Sequence, residues 1–487
     1  MPRFPTGFAR AWSCRQRPRW RTASSRRQCA GTGKKPPASP WRTGSPRTGS
    51  AGLNCSGANA TAQSSARTTK KMSRLSASTI AAEDVAFADL PADPAPAPAA
   101  PRLRLLLITD TSVVFSGGSE RFLRNLVGLL PRERYQITLV ELSATAYAGP
   151  KHALAELQHV SLVSLPVNAI YGRGGRHAWR QLDTMVRQGR YDIVQSHHEK
   201  SDLLNALLTP PAGCMRISNR RDMGYKKSAK LKWLFRFLNP RFDRVIAPAQ
   251  PILSELSRAE GLDSARMLWI PNGVDTRKFR PWPRGERQAA RHSLRLDDDS
   301  IAFVCIARMT AEKCHGDLLS AFAQVHAQVP QARLFLVGQG PLRAEIERQV
   351  AAAGLGHAVT LLGMRPDIES VLPALDIGLL ASSTEGMSNA ILEMASCGLP
   401  VIATDVGGNP SLVEPEVNGL LVPSGNSGLL AQAMARLAVE PAQRLRMGQA
   451  ARARIEREFS LDAMVRSFDN CYRQLVLPAS LATASAA

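Results

Sequence analysis

From Leu103 onward, short apolar runs of β-type composition alternate with helix-length amphipathic stretches, and this rhythm admits few folds. Such runs read as strands buried on both faces, and strands of that kind are parallel and need helical crossovers. The first series comprises Leu103 to Thr109, Gln136 to Leu142, Val160 to Leu165, Asp192 to Ser196, Met215 to Ser218, Arg244 to Pro248 and Met267 to Ile270. A Gly117-Gly118 turn leads from the first run into an amphipathic stretch from Glu120 to Leu130. Pro271-Asn272-Gly273 then marks a turn, and Arg280 to Ser300 has little apolar periodicity, so the interdomain connection is expected there. A second series follows at Ile301 to Ala307, Arg333 to Val337, Val359 to Leu362, Ile377 to Leu380 and Pro400 to Thr404.

The expected fold class is α/β, with two doubly wound Rossmann-like domains, residues 102–275 and 276–440, facing each other across a cleft. Residues 441–475 read as C-terminal helices crossing back to the first domain, and 476–487 as a disordered tail. A chain of 487 residues with 44% hydrophobic content can bury both cores.

The net charge of +22 suggests a nucleic-acid binder until its distribution is considered. Residues 1–71 hold fifteen Lys or Arg and no Asp or Glu, which leaves +7 for the other 416 residues. That segment has no hydrophobic periodicity and is expected to be disordered, followed by an Ala/Pro-rich leader to residue 101. It fits an Arg-rich transit segment poorly, because Pro and Gly recur where an amphipathic helix would be needed. It lacks the aromatics of a nucleic-acid stacking platform, and translation starting at Met72 is the third reading. No specific nucleic-acid partner is expected. The eight cysteines show no CxxC spacing, so neither zinc nor a disulfide framework is indicated. No apolar run approaches the ~20 residues that cross a bilayer, which predicts a cytoplasmic protein, soluble or peripheral on the inner face of the membrane.

The stretch Ser382 to Glu393 carries most of the chemistry. Ser388 reads as an N-cap, Asn389 to Ser396 as a helix and Gly398 as its stop. The backbone N–H groups at such a helix start attract an anion, so Gly386, Ser388 and Asn389 are candidate binding residues. Glu385 before the helix and Glu393 within it can accept hydrogen bonds from two parts of one ligand, a sugar and a ribose. On spacing alone, a loop carboxylate and a solvated helix residue explain them equally well. Arg308 and Lys313 follow the first strand of the same domain, where two cations can clamp a leaving diphosphate.

Four segments then add a resemblance: Ala307-Arg308-Met309 with Glu312-Lys313, Val337 to Pro341, Glu385 through Glu393, and Thr404 to Asn409. Their order and spacing resemble family 4 retaining glycosyltransferases of the GT-B fold, over roughly residues 103 to 475. The resemblance implies that Arg308 and Lys313 contact the donor pyrophosphate, Glu393 the nucleotide ribose and Glu385 the transferred sugar. It also implies that Gly117 and Gly118 form a glycine loop near donor phosphate and acceptor, and that His197 is an active-site histidine. Gln195 and Ser411 depart from the family pattern, as does Arg220-Arg221, which stands where histidine is frequent and can reach an anionic acceptor or donor phosphate. The expected donor is a UDP-, GDP- or ADP-sugar, the acceptor a glycan or lipid-linked hydroxyl, and no metal or other cofactor is expected.

Three weaker signals complete the reading. Asp297-Asp298-Asp299 imitates an acidic metal motif but reads as a solvated turn, and Gly172-Arg173-Gly174-Gly175 as a flexible loop. Tyr225 to Phe242 interleaves Lys and Arg with Trp and Phe, a pattern that suits peripheral contact with an anionic membrane or packing on the first sheet. A sugar-nucleotide epimerase or hydrolase of the same architecture, and a basic nucleic-acid-binding protein, are the alternatives. Only the last would lose its activity on deletion of residues 1–71.

Overall fold

The computed structural model describes residues 102–113, 117–143, 157–221, 224 and 227–476. The leader over 1–101, Cys14, Cys29 and Cys55 within it, and the tail beyond Val476 lie outside the described residues. The five cysteines within the described residues are free.

Seven strands form the first sheet: β1 (Leu103–Thr109), β2 (Tyr135–Glu141), β3 (Val160–Ser164), β4 (Ile193–Ser196), β5 (Met215–Asn219), β6 (Arg244–Ala247) and β7 (Met267–Trp269). Six form the second: β8 (Ile301–Ile306), β9 (Ala332–Val337), β10 (Val359–Gly363), β11 (Ile377–Leu380), β12 (Val401–Thr404) and β13 (Gly419–Val422). The orders are β3-β2-β1-β4-β5-β6-β7 and β10-β9-β8-β11-β12-β13, with every pairing parallel. Leu105, Leu106, Leu107 and Ile108 are fully buried, as a central parallel strand covered by helices on both faces requires. The order in which strands are added reverses between β1 and β4 in one sheet and between β8 and β11 in the other, and ligands of such parallel sheets bind beyond the carboxyl ends at these switch points.

Two local expectations are corrected, and one strand is added. The stretch Arg280 to Ser300 contains a helix, Arg284–Ser293, that belongs to the second domain. Its Arg287 and Arg291 hold the two carboxylate oxygens of Asp376 at 2.6 and 3.1 Å, and Arg291 also donates to the carbonyls of Ala374 and Ser300. Because polar bonds rather than an apolar stripe anchor it, hydrophobic periodicity missed it. Gly172 to Gly175 is not a loop but the start of the helix Arg173–Gly189, with Gly172 at φ +127° preceding the first turn. β13, only four residues long, had no counterpart in the sequence reading. Asp297-Asp298-Asp299 is an exposed turn as expected.

The chain crosses between domains twice at one place. Val274 N–H donates to the Phe459 carbonyl at 2.9 Å, and Leu461 N–H donates to the Val274 carbonyl at 3.0 Å. The crossing out therefore lies just beyond Pro271-Asn272-Gly273, ahead of the stretch expected to make it. The helix Pro441–Glu458 packs Met447, Ala451 and Ile455 into the second core. The helix Leu461–Val476 returns to the first, burying Met464, Phe468, Cys471 and Tyr472 with Leu105 and Leu107. Phe468 is fully buried, with its ring centroid 5.6 Å from that of Phe122 and 5.8 Å from that of Tyr472. Phe468→Ala is expected to cost about 3–5 kcal/mol. Native-state hydrogen exchange should locate that loss in β1 and β2, although residue 468 follows the whole second domain in sequence.

Candidate active site

The residues singled out from sequence follow the four strands that flank the two switch points. Gly117 and Gly118 come after β1, His197 after β4, Arg308 and Lys313 after β8, and Glu385 to Glu393 after β11. The topology thus gathers residues nearly 300 positions apart at one cleft.

On the second domain, Ser388 caps the helix Asn389–Ser396, its hydroxyl accepting from Ile391 N–H at 3.3 Å, and Gly398 ends it at φ +78°. Glu385 is nearly buried, ion-paired with Lys313 and accepting from the Ser382 hydroxyl at 2.7 Å. Ser383 N–H donates to the Glu312 carbonyl at 2.9 Å, which ties this loop to the turn that carries Lys313. Gly407, at φ +54°, lies so close behind Glu385 that a Cβ there would sit 1.8 Å from the Glu385 carbonyl oxygen. The expected cation pair is therefore divided. Lys313 is engaged with Glu385, whereas the Arg308 side chain is 77% exposed, with only Glu312 at 4.0 Å.

Glu393 is not a solvated helix residue. Its side chain is 8% exposed and accepts from Arg121 at 2.5 Å across the cleft. Burial pushes its carboxyl above the usual carboxylate range, against the pull of Arg121. Arg121 escaped the sequence reading, although one signal was available. It stands four residues into the helix Gly118–Leu129, where the helix dipole disfavours a cation, so another charge must hold it.

The two helix starts meet. A Cβ on Gly118 would lie 3.1 Å from Asn389 Nδ2, and Asn389 Oδ1 accepts from Asn272 Nδ2 at 2.9 Å. Asn272 Oδ1 in turn accepts from Arg221 Nη2 at 2.6 Å. Gly386 lies against the Arg221 carbonyl, 3.0 Å from where its Cβ would be. Arg220, its neighbour, turns into the first domain and pairs with Asp202 and Glu260 at 2.8 and 3.2 Å. A cavity of about 500 Å³ opens between the domains, lined by Arg121, Asn272, Lys278, Arg365 and Glu393 among others. A larger one of about 630 Å³ lies beside Asp376 and Pro400, at the amino ends of β11 and β12. It is remote from the switch points, so the candidate site is the interdomain cleft. Of the residues singled out from sequence the smaller cavity is lined by Asn389 and Glu393, whereas Gly117, Gly118, His197, Arg308, Lys313, Glu385, Gly386 and Ser388 lie outside its lining.

His197 lies directly after β4, 1% exposed. Its Nε2 lies 3.0 Å from Gln195 Nε2 and its Nδ1 3.5 Å from Asn219 Nδ2, while Gln195 Oε1 accepts from Tyr472 at 2.9 Å. Burial first, then His198 and Arg221, hold the imidazole well below the usual histidine range. The adjacent His198 is partly exposed, with Nδ1 3.3 Å from the Thr109 hydroxyl.

Comparison with known proteins agrees with this architecture. Residues 116–278 match the family described as Glycosyltransferase Family 4, and residues 300–440 that described as Glycosyl transferases group 1. The chain belongs to glycosyltransferase family 4. It is 25% identical, over 75% of its length and 97% of the relative's, to a GDP-mannose-dependent monoacylated phosphatidylinositol monomannoside mannosyltransferase of Corynebacterium glutamicum. It is 27% identical, over 61% and 79%, to an Escherichia coli UDP-galactose-dependent α-1,3-galactosyltransferase acting on GlcNAc-diphosphoundecaprenol. Its fold is that of Anabaena HepE, solved with UDP, at a TM-score of 0.67 and 22% identity over 76% of this chain and 99% of the other. The fold class is GT-B, and the protein is a glycosyltransferase that moves sugar from a nucleotide sugar to an acceptor.

The buried His197 carries a pH signature. The unfolded chain takes up a proton near pH 6.5 that the folded chain refuses, so this group's contribution to stability falls as pH drops below about 6.5. In His197→Gln, the difference in unfolding free energy between pH 7.5 and 5.5, read by urea denaturation, should shrink. An identical difference in both proteins would show that the folded imidazole protonates normally.

Proposed function

We propose that this glycosyltransferase retains anomeric configuration and transfers sugar from a UDP-, GDP- or ADP-sugar to a hydroxyl of a glycan or lipid-linked acceptor in cell-surface glycan synthesis. The observation that carries this reading is the set of donor-type groups at the second switch point. Lys313-paired Glu385 addresses the sugar, buried Glu393 the ribose, and the capped helix start with Arg308 and Lys313 the diphosphate. Glu385 is already tied by Lys313 and Ser382, which suits a carboxylate that binds sugar hydroxyls better than one that attacks carbon. The chemistry is then loss of nucleoside diphosphate with same-face attack by the acceptor hydroxyl, whose proton passes to the departing phosphate. Arg308 and Lys313 stabilise the charge that develops there. Both relatives named above act on lipid-borne acceptors, which supports a lipid-linked acceptor for this chain.

The donor should raise the unfolding temperature, since a ligand bound only by the folded state stabilises it, and a screen of UDP-, GDP- and ADP-sugars identifies it. Arg308→Ala and Lys313→Ala are each expected to slow transfer by about 10²-fold. Unchanged rates in both would remove the two cations from the mechanism, and inversion seen by NMR of the product would overturn retention.

Membrane contact through residues 225–242 is part of the same proposal, with residues 225 and 226 outside the described residues. The helix Ala229–Leu238 does two things at once. Phe235 and Leu238 enter the first domain's core, while Trp233 and Phe237 stand 61% and 60% exposed, with ring centroids 4.6 Å apart. Lys230 and Arg236 flank this aromatic pair, giving a face suited to the anionic inner surface of a membrane. The protein should cosediment with vesicles containing phosphatidylglycerol at low salt, and Trp233→Ser with Phe237→Ser should abolish this. Equal sedimentation of that double variant would place any contact elsewhere.

A further inference from the structure

Arg221 is an unusual cation. Its guanidinium lies 3.7 Å from the centroid of the Phe122 ring, and Nη2 donates to the neutral amide of Asn272. Its Nε is shut off from solvent and has no hydrogen-bond partner. Among the described residues no carboxylate comes within ion-pair distance of it, in contrast to Arg220 next door, which has two. Burial pushes the guanidinium down to about 9, an effect that Glu120 only partly offsets. A half-buried charge whose Nε is desolvated and unbonded is costly, because desolvation is repaid only when an opposite charge or acceptor completes the site.

The surroundings indicate what that opposite charge is. Phe122, under the guanidinium, belongs to the helix Gly118–Leu129, and Asn272 bonds Asn389 at the first turn of the helix Asn389–Ser396. Arg221 therefore sits beside the point where two helix N-termini, one from each domain, come together at Gly118 and Asn389. Helix starts present N–H groups and positive potential, so a third positive element beside them makes a pocket for an anion. Tetrahedral phosphate suits a guanidinium better than a carboxylate-sized ligand does, since several oxygens can be reached from the fork and both helix starts at once.

We propose that Arg221 is a phosphate-binding residue of the cleft, supplied by the first domain, which completes with the Gly118 and Asn389 helix starts a site for a phosphate group of the substrates. This rests on the reading of the cleft as a nucleotide-sugar site, and deepens it, because Arg308 and Lys313 come from the second domain alone. A phosphate held by Arg221 and the Asn389 helix start is then shared between the two domains. Two sources share this chemistry: the donor's diphosphate and a phosphate borne by the acceptor.

Isothermal titration of the full chain and of Arg221→Gln with UDP, GDP and ADP, with the matching nucleosides, and with inorganic phosphate separates them. If the donor supplies the phosphate, Arg221→Gln loses about tenfold or more in affinity for the preferred diphosphate while binding the nucleoside unchanged. If the acceptor supplies it, diphosphate affinity is kept, and inorganic phosphate binding at saturating diphosphate is lost. Arg221→Lys, which keeps the charge over the Phe122 ring, should recover part of the affinity in either case. Wild-type binding of both probes by Arg221→Gln would overturn the proposal. So would equal losses for diphosphate and nucleoside, which would make Arg221 merely structural. If the wild type bound phosphate through Arg221 but no nucleotide, the proposed function would fail while this site stood.

Discussion

The paired crossing at Val274 governs the rest of the molecule. One residue on the outgoing strand bonds Phe459 and Leu461 on the returning one, so the two domains are joined by adjacent backbones and not by a single flexible thread. Gly273 lets these strands approach, since a Cβ there would fall 2.8 Å from the Ser460 carbonyl. A double connection of this kind restricts relative motion to a hinge, and the carboxyl ends of both sheets keep facing the same cleft. Contacts between Gly118 and Asn389, Gly386 and Arg221, and Arg121 and Glu393 all presuppose that alignment.

Electrostatics in the cleft follow one pattern. The two carboxylates assigned to the donor each hold a cation in reserve, Lys313 on Glu385 and Arg121 on Glu393. Removing one partner of such a pair would leave a buried charge uncompensated, which is why both carboxylates can sit at low exposure. The Glu393 pair joins the domains and the Glu385 pair does not. On the proposed assignment, ribose hydroxyls compete with an interdomain bond at Glu393, whereas sugar hydroxyls meet in Glu385 a carboxylate oriented within its own domain.

What could be read from sequence was local. β1 and β11 were read to the residue because a short run dominated by buried apolar residues, Leu105 to Ile108 in the one and Ile377 to Leu380 in the other, has sharp ends where polarity returns. The cap at Ser388 and the stop at Gly398 were equally legible, since each acts on its immediate neighbours. Legibility failed where polar bonds between distant residues replaced apolar burial. Arg287 and Arg291 find Asp376 some 85 to 89 positions away, and Arg121 finds Glu393 at 272, leaving no period for a sequence window to register. Strand order brings the residues singled out from sequence to the ends of the four switch-point strands, but their pairings were not foreseen. Lys313 pairs with Glu385, 72 positions away, a contact that no sequence window registers.

The returning helix Leu461–Val476 has a consequence for how the protein is made. The second domain is continuous, from the outward crossing near Val274 to Phe459, and can close its core as soon as it leaves the ribosome. The first domain emerges earlier yet lacks Phe468 and Tyr472, the latter holding Gln195 beside His197. It must wait, incomplete, while some two hundred further residues are synthesised. The order of maturation is thus the reverse of the order of translation, and a ribosome that stalls before codon 468 leaves a finished domain tethered to an unfinished one.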